Sequence, residues 1–106
     1  GLIGQGSIVQ LPYTLEQQRS LDWSLLKLLF MSARRDMPLA DILIRPADVV
    51  VDPGGMHTIV DHAVFVGERY QLRLSLPDGQ KLLAFSRMPA KQGDELNVVI
   101  RAAWRL

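Results

Sequence analysis

The chain has 106 residues, 48% hydrophobic and 22% charged, a composition that fits one globular domain and excludes a disordered segment. Its 12 Lys and Arg against 11 Asp and Glu leave a net charge of +1, too little for the broad positive field that collects phosphates along a nucleic acid. With no cysteine, disulfides, thiolate metal sites and cysteine nucleophiles are excluded, and the composition fits a reducing compartment.

The chain opens at Gly1 with no methionine, in what reads as structured sequence, so a segment of a longer protein is expected. Ser7 to Leu11 is a short β-compatible run that stops at Pro12, because proline has no N–H to give to a ladder. Thr14 followed by Gln17 fits a capping box, and Leu15 to Arg35 holds good helix formers without Gly or Pro, two arginines at its end and Pro38 beyond. A helix is therefore predicted over about 15–35. Its apolar stretch Leu25 to Met31, interrupted by Lys27, is far shorter than the roughly 20 residues a membrane-spanning helix needs. Leu21, Leu25, Leu28 and Leu29 share one face, while Trp23, Leu26, Phe30 and Met31 spread over the remaining circumference. Such a helix needs cover on more than one side, from its own sheet or from a partner seated on Trp23, Leu26, Phe30 and Met31.

From Asp41 the pattern changes to short β-rich runs: Ile42 to Arg45, Val49 to Val51, Thr58 to Val66, Tyr70 to Leu76, Lys81 to Ser86 and Glu95 to Arg105. Strict alternation places Tyr70, Leu72, Leu74 and Leu76 on one face and Gln71, Arg73 and Ser75 on the other, a half-buried antiparallel strand. Pro77-Asp78-Gly79 supplies the turn that folds Lys81 to Ser86 back beside it, and Gln92-Gly93-Asp94 supplies another. Gly67 suits a tight bend. Pro46 ends its strand and keeps Arg45 extended, with a single helical turn predicted at Ala47-Asp48. Arg45 lies between Asp41 and Asp48 and is expected to pair with a carboxylate that pins the strand end.

Taken in order, Ile44-Arg45-Pro46-Ala47-Asp48, Phe65-Val66-Gly67, Leu76-Pro77-Asp78-Gly79 and Gly93-Asp94-Glu95-Leu96 resemble the motifs of the TOBE domain, the accessory domain that follows the nucleotide-binding domain in ATPases of ABC importers. The resemblance covers about Ile42 to Trp104, and Leu2-Ile3-Gly4-Gln5-Gly6 is similar to the element that opens the domain; Thr14 to Arg35 departs from it, since relatives have strands there. It implies one mainly β domain over 1–106, a small oligonucleotide-binding-like antiparallel barrel with an inserted helix. Arg45, Pro46, Asp48, Gly67, Asp78, Gly79, Gly93 and Asp94 are then scaffold residues. It also implies a non-catalytic, regulatory and dimer-supporting role, with no cofactor in this chain and ATP and Mg bound by the parent ATPase domain. The partners implied are that ATPase domain, a second copy of the chain and, indirectly, the transporter's membrane subunits. The place implied is the cytoplasmic side of the inner membrane, and the solute a small ion such as iron(III), or an organic molecule.

Other chemistry reads weakly. His57 and His62, with Asp52 and Asp61, invite a metal, but strand parity puts His57 and Asp61 on one face and His62 on the other. Ser7, Ser75 and Ser86 lack a nucleophile-elbow setting. Gly4-Gln5-Gly6 is followed by no Gly-Lys-Ser/Thr, so no ATP site is expected. An oxyanion sensor would draw on Arg45, Arg69, Arg73 and Lys81. A single-strand nucleic-acid barrel would stack bases on Phe65, Tyr70, Phe85 and Trp104, for which core packing is the favoured reading.

Overall fold

Runs of alternating apolar and polar residues, punctuated by proline and glycine, form nine strands and one α-helix among the residues the computed structural model describes, 2–3, 6–32 and 36–106. Strands β1 (Leu2–Ile3), β2 (Gly6–Leu11), β4 (Ala40–Ile44), β9 (Ala102–Arg105) and β3 (Ser20–Asp22) make a five-stranded antiparallel sheet in that order. Strands β7 (Lys81–Ser86), β6 (Tyr70–Ser75), β5 (Val49–Phe65) and β8 (Glu95–Ile100) make a four-stranded one. The sheets curl over one core, with Val9, Leu11, Ile42 and Ile44 from the first meeting Val60, Leu72, Leu74, Leu82, Val98 and Ile100 from the second. The fold is mainly β with one helix, a curled antiparallel half-barrel consistent with the oligonucleotide-binding-like barrel that the resemblance implies.

Side chains close the seam between the sheets. β7 is an edge strand, and unpaired backbone groups at an edge must be satisfied. Its Leu83 N–H donates to the Oγ of fully buried Ser7 on β2, at 2.8 Å. Just ahead of β7, Gln80 acts as a substitute peptide: Oε1 accepts from the Gln10 N–H at 2.6 Å and Nε2 donates to the Gln10 carbonyl at 3.0 Å. Asp78 orients Gln80 by accepting from its backbone N–H at 3.0 Å and from Nε2 at 2.7 Å. Gly79, at φ 87°, makes the turn that allows this. Gly67 and Gly93 take positive φ at their turns as well.

Three predicted runs are divided or joined by local irregularities. The run expected from Glu95 to Arg105 divides at Arg101, where the chain passes from one sheet to the other. Arg101 is held there by its N–H on the Asp48 carbonyl (2.8 Å) and by Nη2 on the Ala47 carbonyl (2.6 Å). The predicted turn at Ala47-Asp48 is real, a 3-10 turn at Pro46–Asp48. Conversely, the runs expected at Val49–Val51 and Thr58–Val66 join in the single strand β5, which ends at Phe65, because Asp52 to Gly55 bulge out and leave Val51 and Met56 both opposite Val98. Gly55 sits so close that an added Cβ would overlap the Val98 carbonyl.

The helix is shorter than predicted. Helix α1 spans Trp23–Met31, and Asp22 caps it by accepting from the Leu25 N–H at 3.0 Å. The capping box at Thr14 and Gln17 is overridden because that stretch must reach the far edge of the first sheet: the Tyr13 hydroxyl donates to the Gln18 carbonyl, and the Arg105 N–H donates to Arg19. Residues 33–35, the end of the predicted helix, lie outside the described residues. α1 packs over the gap between β3 and β8, with Leu26 fully buried.

Ser7→Ala strands the Leu83 N–H in the core and should lower stability by about 1–3 kcal/mol, read from urea unfolding with an unchanged m-value. Gly55→Ala should cost a similar amount, about 1–3 kcal/mol, by forcing two backbones apart. Gly54→Ala is the control, since its Cβ would meet only the Asp52 carboxylate, at 3.4 Å. Equal losses at Gly54 and Gly55 would remove the close approach as the reason.

Candidate functional site

The polar side chains that come together do so where the strands break their alternation. Between Val60, opposite Leu74, and His62, opposite Arg73, β5 carries one extra residue, Asp61. The bulge turns the Asp61 carboxylate toward β6 and β7, where it accepts from the Ser75 hydroxyl at 2.8 Å and from Lys81 Nζ at 2.8 Å. Lys81 also donates to Ser75 Oγ at 2.6 Å. Hydrogen bonds from Lys81 and then Ser75 hold the Asp61 carboxyl below its ordinary value of 3.8. The Ser75 proton is thus directed at a carboxylate of lowered basicity, and the Lys81 ammonium is engaged by the same carboxylate. This arrangement ties three strands together and does not activate Ser75 as a nucleophile.

His57 faces Glu95 at 3.1 Å, His62 is exposed opposite Arg73, and the Asp52 carboxylate accepts from the Gly54 N–H at 2.8 Å. These four residues therefore serve separate contacts. Asp48 faces Arg101 at 3.7 Å and Asp41 accepts from Gln10 Nε2 at 3.4 Å, which corrects the pairing expected with Arg45. Arg45 remains extended and exposed, and Pro46 is buried. Of the four cations expected of an oxyanion site, Arg73 and Lys81 both stand near enough to Asp61 to lower its pKa, and the other two lie elsewhere. Arg45 follows β4 in the first sheet, Arg69 lies 3.6 Å over the Phe85 ring, and Lys81 is paired with Asp61. Asp94 accepts from the Lys91 N–H at 2.9 Å, and the Gly93 N–H donates to Val60, so this turn is scaffold too.

Of the residues expected at an interface, Leu26 is core, Trp23 and Phe30 are half-buried, and Met31 is 74% exposed. Trp23, Lys27, Phe30 and Met31 form one wall of a groove of about 320 Å³. Gly54, Gly55 and Met56 of the β5 bulge, with Pro77, form the other. A second depression, about 300 Å³, lies beside the exposed Val50, Val51 and Met88. Val64, Phe65 and Val66 are also exposed, at the end of β5, with Phe65 edge-on to Tyr70 at 5.1 Å. Sequence reasoning missed Ser7, Gln80 and Arg101, although Ser7 shares strand parity with the core residues Val9 and Leu11. Among the described residues no helix is long and apolar enough to cross a membrane.

The family model described as TOBE domain matches residues 42–105. That stretch holds the 3-10 turn, the bulged β5, the three glycine turns and the sheet switch at Arg101. No curated protein matches the chain.

Because the folded pKa of Asp61 lies below its ordinary value, the ionised carboxylate stabilises the fold above about pH 3.8, and the contribution is lost as pH falls through the lower folded value. Asp61→Asn should therefore be less stable than the parent at neutral pH, with the gap closing on acidification. Chemical denaturation across that range measures it, and a gap independent of pH would exclude the ion pair as its source.

Proposed function

Since the chain belongs to the TOBE domain family, we propose that it serves as the non-catalytic, regulatory and dimer-supporting domain of an ABC importer ATPase, coupled to uptake of a small solute such as iron(III). TOBE domains are in general accessory domains of transport-related proteins. The observation that carries the reading is the match over 42–105, which falls on the barrel walls and their turns. The polar side chains described above support it, because they are engaged in holding strands together.

ATP and Mg are assigned to the parent's ATPase domain. Gly6, the last glycine of the opening, begins strand β2 rather than a helix, and Gly1, Gly4 and Gln5 lie outside the described residues. The exposed apolar groups Val50, Val51 and Met88, which line one depression, and Phe65 at the end of β5 are the surfaces assigned to contact with the rest of the parent, because exposed apolar patches mark interaction sites. Through that contact the domain would act at the cytoplasmic face of the membrane.

The reading requires that the frame encoding the chain also encode a Walker A motif and an ABC signature, within about 250 residues ahead of Gly1, the span of one domain. Their absence would refute it. In the parent, Val51→Asp with Phe65→Asp should weaken dimerisation about tenfold or more by light scattering while the barrel stays folded.

A further inference from the structure

We propose that the groove between α1 and the β5 bulge binds a small amphiphilic carboxylate, an aromatic or medium alkyl body carrying one acid group. This holds whether or not the chain serves an importer. Its volume of about 320 Å³ lies within the range of small-ligand sites, roughly 300–1,000 Å³, which are mostly apolar with a few placed polar groups.

Sequence builds the groove from two sides. On α1, Trp23, Lys27 and Met31 follow at intervals of four and so stand on one face. Opposite, the bulge lines the groove with Gly54, Gly55 and Met56, Gly55 lying against the Val98 backbone where a side chain has no room. Trp23 and Phe30 supply flat aromatic walls, and the two methionines can adapt to irregular apolar shapes.

The ligand's charge follows from the lining. The strong side-chain donors are the Lys27 ammonium on the exposed rim and the Trp23 indole N–H, and the thioethers are weak acceptors. An apolar body with an acceptor head fits this lining. Lys81, Arg101 and Arg69 are engaged by Asp61, Asp48 and Phe85 respectively. Lys27 forms no ion pair among the described residues. One positive charge suits a monoanion, hence a carboxylate. A second copy docking through α1 would bring no counter-charge on that element, because Trp23–Met31 contains no acidic residue.

Trp23 is the reporter once Trp104, on β9, is replaced by Phe. Octanoate and phenylbutyrate should each change Trp23 emission saturably, and octanol should bind more weakly. Lys27→Gln should weaken both carboxylates by about fivefold or more and leave octanol unchanged, whereas Lys27→Arg should keep the preference for the acid. Melting curves of each variant confirm the fold. No saturable change up to the solubility limit would overturn the proposal. So would octanol binding as tightly as octanoate, or a dimer that shifts Trp23 emission with protein concentration alone.

Discussion

The hydrogen bond from the Leu83 N–H to the buried Ser7 hydroxyl, with the Gln80 amide laid across Gln10, holds the edge of the four-stranded sheet against β2 of the other. A continuous backbone ladder would force both strands into one sheet and flatten the angle between them. Side-chain bridges satisfy the same donors and acceptors while leaving the strands free to diverge, as two curled sheets must. The solution is local and demanding. Ser7 is fully buried, so its replacement by an apolar residue leaves an orphan amide. Gln80 works only while Asp78 and the positive φ of Gly79 present it to Gln10. A motif that reads as a generic β-turn is thereby part of the barrel's closure.

The opposite side of the barrel follows another logic. Between β3 and β8 no such bridge forms among the described residues, and α1 lies over the opening with Leu26 pointing into the core. A helix above a gap buries one stripe and leaves its flanks standing against whatever borders the gap. Here the border is the Asp52 to Gly55 bulge, where Val51 and Met56 share one partner on β8 and the chain between them swings outward. The groove is thus a consequence of covering an incomplete barrel with a short helix beside a glycine-bearing bulge.

Much of the barrel was legible in the sequence because its strands obey simple parity. Tyr70 to Leu76 alternates as read, with Leu72 and Leu74 fully buried, and the turns at Pro77-Asp78-Gly79 and Gln92-Gly93-Asp94 lie where their residue types placed them. What escaped were the exceptions to parity. Val60 and Ala63 both pack on the core, so the chain must gain a residue between them, and Asp61 is that residue. Ile100 and Ala103 do the same across Arg101. Both breaks are visible as odd spacings of inward residues, yet only with the partner strand in view can they be told from an ordinary strand end. The helix boundary failed for a different reason. Thr14 to Arg19 has acceptable helix propensity, but the partners of Tyr13, Arg19 and Ser20 lie elsewhere in the chain, and tertiary pairing outweighs a weak local preference.

The candidate site follows from how polarity is distributed. Asp61, Lys81 and Ser75 join three strands, Asp48 and Arg101 fix the sheet switch, and Asp78 and Gln80 close the seam. A carboxylate whose affinity for a proton is lowered by such contacts is a weaker base toward the hydroxyl that donates to it. The apolar residues exposed on β5 and after β7, and the rim of α1 with Lys27, Trp23 and Met31, lie outside this framework, and Lys27 forms no ion pair among the described residues.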